Sequence, residues 1–217
     1  MEAFEQFVAV AVGAEGYVVS SNLKFPIARQ TKKKKHVEVQ EHGYEVDLVG
    51  ARADRLLLVS VKSMFGSKGV RAVDVDGTGK WAKRYKLLND VDIRTGVIAL
   101  AAKRFGYTTE QVRLRLTVGK FAGKGTKNED QVRAWCDGQV AGGGAIELLT
   151  VREVVEQVRK VAGDTTYVDN SVVVALKVLA AANVLDLARP IELSGTMLGD
   201  LGLEDEDEEE EVDDEDA

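Results

Sequence analysis

Hydrophobic and polar positions along this chain switch repeatedly between the helical and the strand period. The predicted helices cover residues 2–14, 91–105, 130–137, 150–161 and 167–187. The predicted strands cover residues 17–28, 45–50, 56–62, 111–118 and 146–149. This order predicts an α/β fold in which helices flank a central mixed β-sheet on both faces.

The chain divides into three predicted parts. They are an α/β domain over residues 1–150, a helical extension over 151–203 and a disordered acidic tail over 204–217. Thr150 and Glu153 form a capping box at the start of the extension. Its two helices either complete the core or form a dimer surface.

The two central predicted strands form a β-hairpin. With its polar turn centred between Asp54 and Arg55, Asp47 stands opposite Lys62 on the neighbouring strand. Ser60 lies two residues before Lys62, so both side chains point to one face. The prediction is therefore a carboxylate, a hydroxyl and an ammonium group on one face of an otherwise apolar hairpin.

This combination suits hydrolysis of a phosphodiester. An aspartate can hold a divalent cation, because such cations prefer oxygen ligands. A neighbouring lysine can stabilise negative charge or help to deprotonate an attacking water. The simpler alternative is that Lys62 only extends its ammonium group into solvent and Asp47 belongs to a solvated face.

Together with Glu5, these residues resemble the restriction-endonuclease-like, PD-(D/E)XK, superfamily, particularly its Holliday-junction-resolvase-like branch. That pattern has an aspartate in one strand and acid-x-Lys at the end of the next. Its helical glutamate stands about eleven residues before a Gly-aromatic pair, and here Glu5 stands eleven before Gly16, which Tyr17 follows. The resemblance covers residues 1–65.

The resemblance implies a deoxyribonuclease that depends on Mg²⁺ or Mn²⁺. It implies that Asp47 and Glu5 hold the metal and that Lys62 orients or activates the attacking water. It also implies a homodimer, which is common among the small nucleases of this branch. The alternative helical role for Glu5 is that of an exposed first-turn glutamate favoured by the helix dipole.

Ser60 departs from the resemblance, because it stands where the acid of acid-x-Lys belongs. Glu45 and Glu41 are the nearest candidates to supply the missing oxygen ligand. Without one, either metal binding is weak, or the chain is a catalytically inactive DNA-binding or protein-interaction module with a nuclease fold. A third hypothesis is an unrelated α/β protein, which predicts no affinity for DNA.

The net charge of −7 conceals a basic body. Residues 204–217 contain 12 of the 36 acidic residues and no basic one. Residues 1–203 therefore carry 29 basic against 24 acidic side chains, a formal charge of +5. A basic body suits a phosphate-bearing partner, and we expect DNA. The lysines predicted to contact its backbone are Lys32, Lys33, Lys34, Lys35, Lys68 and Lys80.

Two alternatives bear on these basic segments. The four lysines at 32–35 lie in a predicted inter-strand loop, where they contact DNA or serve solubility alone. Between residues 62 and 86, basic residues are interleaved with Phe65, Trp81 and Tyr85. Such aromatics either stack on splayed bases or pack inward.

Composition limits the cellular setting. Cys136 is the only cysteine, so no intrachain disulfide can form, and a core position in a cytoplasmic protein is expected. No apolar run reaches the length of a membrane span, and no membrane partner is expected. The first ten residues contain no basic residue, so we expect no signal peptide.

The acidic tail gives a first test. Twelve like charges in residues 204–217 repel one another, so this segment cannot pack. It is either a solubilising tail or a mimic of nucleic acid, which would bind a basic cleft of this protein or another basic partner. If the tail covers the cleft, its deletion should tighten DNA binding at low salt, as measured by fluorescence anisotropy. Unchanged affinity would rule the mimic out.

Overall fold

A computed structural model describes residues 2–33, 36–166 and 168–189, and the side chains of residues 29–40 are not described. Its helices are α1 Ala3–Ala14, α2 Ala72–Val75, α3 Lys86–Asn89, α4 Val91–Phe105, α5 Lys127–Asp137, α6 Val151–Gly163 and α7 Ser171–Ala181. Its strands are β1 Val18–Lys33, β2 His36–Arg52, β3 Arg55–Lys62, β4 Val112–Val118, β5 Val140–Ala141, β6 Gly144–Ala145 and β7 Glu147–Thr150. The acidic tail lies outside the described residues.

The central sheet is mixed and five-stranded, in the order β1-β2-β3-β4-β7. The first three strands are antiparallel neighbours, while β3, β4 and β7 run parallel. Helices flank it, and the predicted α/β fold class is therefore confirmed. Because parallel strands share a direction, the carboxyl ends of β3, β4 and β7 meet at one edge of the sheet, where α/β proteins commonly bind ligands.

Strand β3 is buried on both faces, as its apolar run predicts. Leu56 and Leu58 belong to a core cluster that includes residues of α4. Leu57, Val59 and Val61 belong to a second cluster with residues of α1 and α6. The two helical layers are thus joined through the side chains of a single strand.

The single cysteine is a core residue. Cys136 lies in α5 and is fully buried. Burial, with the charge of Asp137, raises the pKa of its thiol to about 12, so the thiol stays protonated at neutral pH. The expected core position is confirmed.

Helix-start signals in the extension are confirmed, but one helix is shorter than predicted. The amide of Thr150 donates to Glu153 at 2.6 Å, and the amide of Glu153 donates to the Thr150 hydroxyl at 3.4 Å. Asn170 caps α7 through the amide of Val172 at 2.9 Å. That helix ends at Ala181, and the left-handed backbone of Asn183, with φ 57°, prevents its continuation to residue 187.

The predicted loop over residues 30–36 is wrong for the part that is described. Strand β1 continues to Lys33 and β2 begins at His36, and the two pair from Val18 with Ala51 to Lys33 with His36, except at Asn22. In a two-stranded ribbon the facing backbone groups bond to each other and the outer ones to water, without burying side chains, so high charge does not prevent the strands from forming.

Arg113, Arg115 and Thr117 alternate with apolar residues along β4, which predicts that they form a solvated face, and this prediction is also wrong. Arg115 is only 8% exposed and Thr117 is buried. The Arg115 guanidinium donates to Glu15 at 2.7 and 2.9 Å and to Glu147 at 2.8 and 2.7 Å. Burial opposes the charge of Arg115, but hydrogen bonding to Glu15 and the charge of Glu147 outweigh it, so the pKa of Arg115 is raised. Two carboxylates make burial of this cation possible.

Replacing Arg115 with methionine should lower the free energy of unfolding by about 1–3 kcal/mol, because Glu15 and Glu147 lose their shared cation while remaining partly buried. Urea denaturation measures the change. The control is Arg152→Met on exposed α6 surface, for which we expect a change within about 0.5 kcal/mol. Equal stability of the two variants would contradict a stabilising role for the network.

Candidate active site

The central hairpin has a tighter turn than predicted. Arg52 pairs with Arg55, which leaves a two-residue turn, and the Arg52 guanidinium donates to the Asp54 carboxylate at 2.7 and 3.1 Å. The last paired residues are Leu48 and Val59. The prediction that Asp47 lies opposite Lys62 is therefore wrong, because the turn is centred one residue earlier than predicted, between Ala53 and Asp54, and this shifts the cross-strand pairing by two residues.

Asp47 nevertheless lies beside the end of β3. Its carboxylate oxygen Oδ2 accepts a hydrogen bond of 2.5 Å from the amide of Val61. The backbone pairing of β2 with β3 has already ended at Leu48. The Asp47 side chain thus supplies the acceptor for a β3 amide that lies beyond the last backbone pair. That amide belongs to Val61, the residue directly before Lys62.

The backbone of β2 is irregular at this point. Val46 and Val49 both belong to the cluster beneath α4, whereas Leu48 belongs to the opposite cluster. In a regular strand, side chains alternate between the two faces of the sheet, so residues three apart lie on opposite faces. Val46 and Val49 lie on the same face, so the alternation is broken between them. On β1, Asn22 near this point has a left-handed backbone with φ 56°. The side chains of β2 therefore switch faces of the sheet at the point where β2 separates from β3, as happens at β-bulges.

Lys62 and Ser60 occupy different environments. Lys62 is the last residue of β3 and its side chain is half-buried, while its carbonyl accepts from the amide of Gly119 at 2.8 Å. Ser60 is only 5% exposed. No ion pair joins Lys62 to Asp47, both of which are described, so the charge of Lys62 is not neutralised by its neighbour.

Glu5 caps its own helix. Its carboxylate accepts from the amide of Glu2 at 2.9 Å. The Glu2 carboxylate in turn accepts from the Ser63 hydroxyl at 3.0 Å. The structure therefore brings the amino terminus of α1 to the end of β3, and it gives Glu5 the helix-terminal role that the sequence left as an alternative.

Glu2 is a site residue that sequence analysis missed. The signal was its spacing of three residues from Glu5, which is typical of a reciprocal helix cap. Its contact with Ser63, which directly follows Lys62, links the helix cap to the candidate lysine.

The chain after β3 is fixed by close packing. Met64 has a left-handed backbone with φ 52°, and the Phe65 ring meets the Phe4 ring edge to face at a centroid distance of 5.3 Å. A Cβ at Gly119 would lie 2.3 Å from the carbonyl oxygen of Ser63 and 2.8 Å from Phe65, so only glycine fits there.

Two connections also pair with each other. The Lys120 ammonium donates to the Ser67 carbonyl at 2.9 Å. Val70 forms a parallel bridge with Phe121, since its amide donates to Lys120 and its carbonyl accepts from Ala122, both at 2.9 Å. The chain leaving β3 is thereby held to the basic, glycine-rich chain leaving β4.

The acidic residues supply few free oxygen ligands. Among residues 2–33, 36–166 and 168–189, no group of three or more His, Cys, Asp or Glu side chains is placed to hold a metal. Glu45 accepts from the Asn22 amide at 3.2 Å and forms an ion pair with Lys24 at 3.6 Å, and Glu41 is exposed. Neither contact of Glu45 involves Asp47.

The predicted DNA-contacting lysines divide into two groups. The backbones of Lys32 and Lys33 lie in β1, but their side chains, and all of Lys34 and Lys35, lie outside the described residues. Lys68 and Lys80 are exposed in the connection that follows β3. The predicted aromatics of this connection also divide: Phe65 and Trp81 are exposed and Tyr85 is buried.

The chain matches no known protein family, and no curated protein is similar to it. Within the described part of the chain, every helix is too short or too polar to cross a bilayer.

Replacing Asp47 with alanine should destabilise the protein by about 1–3 kcal/mol, because the amide of Val61 loses its acceptor. Asp47→Asn keeps an oxygen acceptor and should cost less. Chemical denaturation of the two variants gives the comparison. Equal losses would show that the negative charge, and not the hydrogen bond, carries the stabilisation.

Proposed function

We propose that this protein is a nuclease of the PD-(D/E)XK type that hydrolyses phosphodiester bonds in DNA. The observation that carries the proposal is the position of Asp47 and Lys62. The carboxylate of Asp47 accepts from the amide of Val61, the residue before the half-buried Lys62 at the end of β3, where β2 separates from β3. This end lies at the edge of the sheet at which ligands commonly bind.

Lys62 supports the reaction through its charge. Its ammonium group has no carboxylate partner among the described residues, so it can stabilise the extra negative charge of the phosphate in the transition state. It can also orient an attacking water. Asp47 is held in place through one oxygen by Val61, which leaves its other oxygen for a ligand.

The donor set fits a weakly held Mg²⁺ or Mn²⁺. Magnesium commonly binds through one or two carboxylates, keeps several waters and takes further ligands from substrate phosphates. Asp47 would hold it, and Glu5 would join through the oxygen that does not accept from the amide of Glu2. When bound, such an ion acts as a Lewis acid toward a phosphate oxygen.

A second candidate function is DNA binding without hydrolysis. The observation that favours it is the buried hydroxyl of Ser60 where the resemblance requires an acid. The described part of the chain also contains no group of three potential metal ligands. The exposed basic residues of the connection after β3 would then hold a DNA backbone without cleaving it.

Cleavage assays separate the two functions. Linear, single-stranded and four-way-junction DNA are incubated with wild-type protein and Mg²⁺ or Mn²⁺. For a nuclease, Asp47→Asn and Lys62→Met should each reduce the cleavage rate by about 100-fold or more, because each removes charge at the reacting phosphate.

The control is Lys103→Met, near the end of α4, which lies at the opposite edge because β4 begins soon after that helix ends. It should leave the rate unchanged. DNA binding is measured in EDTA for every variant. Binding without cleavage by wild-type protein would establish the second function, and no binding would overturn both.

A further inference from the structure

An exposed tryptophan stands in the connection between β3 and α4. Trp81 is 39% exposed, whereas the other tryptophan, Trp135, packs against the core. Tyr85 in the same connection is buried, and burial, with the charge of Asp74, raises its pKa to about 12. The connection therefore buries one aromatic ring and leaves another accessible.

A buried carboxylate holds Trp81 in this position. Asp74 accepts from the Arg71 guanidinium at 2.7 and 2.9 Å and from the amide of Trp81 at 3.0 Å. The amide of Gly79 donates to Val73 at 2.6 Å, and a Cβ at Gly79 would lie 2.2 Å from Asp74. The backbone leading into Trp81 is thus fixed before any ligand arrives, which lowers the ordering cost of binding.

Two cations flank the Trp81 ring. The Lys80 ammonium lies 5.2 Å and the Arg84 guanidinium 4.4 Å from the ring centroid, which are cation–π distances. Residues 77–89 contain no acidic residue. Within the described chain, no carboxylate pairs with any of the four cations of this segment, which are Lys80, Lys83, Arg84 and Lys86.

We propose that Trp81, Lys80 and Arg84 form a stacking site for an unpaired nucleobase. The DNA that this protein engages is then single-stranded, frayed or branched. This deepens the proposed function, on which it rests only in taking DNA as the partner. The site is called the Trp81 platform below.

The chemistry of the platform selects nucleic acid over other polyanions. An acidic peptide or a sulfated sugar needs cations alone, whereas every base presents a π-face that an indole ring can stack on. The guanidinium of Arg84 is planar and can extend such a stack, while Lys80 meets the adjacent phosphate. A base inside an intact duplex offers no free face, so the platform distinguishes unpaired from paired DNA.

Fluorescence of Trp81 tests the proposal. The Trp135→Phe variant of the full chain leaves Trp81 as the sole tryptophan. In EDTA, titration with oligo(dT) should quench its emission saturably. A hairpin duplex and heparin at equal charge should quench it much less. In binding assays, Trp81→Ala should weaken oligo(dT) affinity about 5- to 100-fold, and Trp81→Phe should weaken it less.

Controls keep the result interpretable. Val140→Ala removes another exposed apolar side chain and should leave affinity unchanged. Circular dichroism and urea denaturation verify that each variant folds. DNA binding that does not depend on Trp81, or equal quenching by heparin, overturns the platform while leaving the proposed function intact. Absence of any DNA binding by wild-type protein overturns both, and EDTA makes every result independent of cleavage.

Discussion

The arrangement of the candidate site depends on one hydrogen bond, in which the Asp47 carboxylate accepts from the amide of Val61. Because the Val61 amide keeps an acceptor, β2 can separate from β3 without leaving a buried backbone donor unsatisfied. An unsatisfied donor would oppose the separation. The separation opens the sheet beside Lys62. The same carboxylate thereby has a structural partner on one oxygen, and we propose that it holds a metal ion through the other.

Around that bond the molecule assembles contacts from four elements. The cap of α1 reaches Ser63 through Glu2, and Phe4 of the same helix meets Phe65. Beneath them, Gly119 follows β4 closely enough that no side chain fits. The chain on either side of the lysine proposed to face the phosphate is therefore held by contacts to a helix and to neighbouring strands, which is a preorganised setting for charge stabilisation.

Sequence reasoning succeeded where one residue pattern had one physical cause. The apolar run of β3 predicts burial on both faces, and the capping box at Thr150 predicts a helix start. It failed where distant residues decide. The face of β4 looked solvated until Glu15 and Glu147 were brought to Arg115, and nothing local predicts that meeting. The hairpin register was predicted wrongly because the polar segment does not fix the centre of its turn, and moving the centre by one residue changes every cross-strand partner by two residues.

The sequence indicated candidate residues for the site, but it did not predict how they are arranged. Asp47 does reach the end of β3, but it does so through a hydrogen bond to the amide of Val61 and not through the predicted cross-strand pair with Lys62. Glu5 was chosen for its spacing, while its carboxylate engages Glu2. The break in alternation at β2 has no signature in the sequence, since it arises from tertiary packing on both faces.

The bridge between Val70 and Phe121, with the contact of Lys120 to Ser67, has a mechanical consequence. The two connections leave adjacent parallel strands as separate loops in sequence, yet they are bonded side by side like a short continuation of the sheet. A force on the glycine-rich segment is therefore transmitted to the chain that follows Lys62. The two segments therefore form one joined layer, which is anchored at the strand ends by the close approach of Gly119 to Ser63 and Phe65.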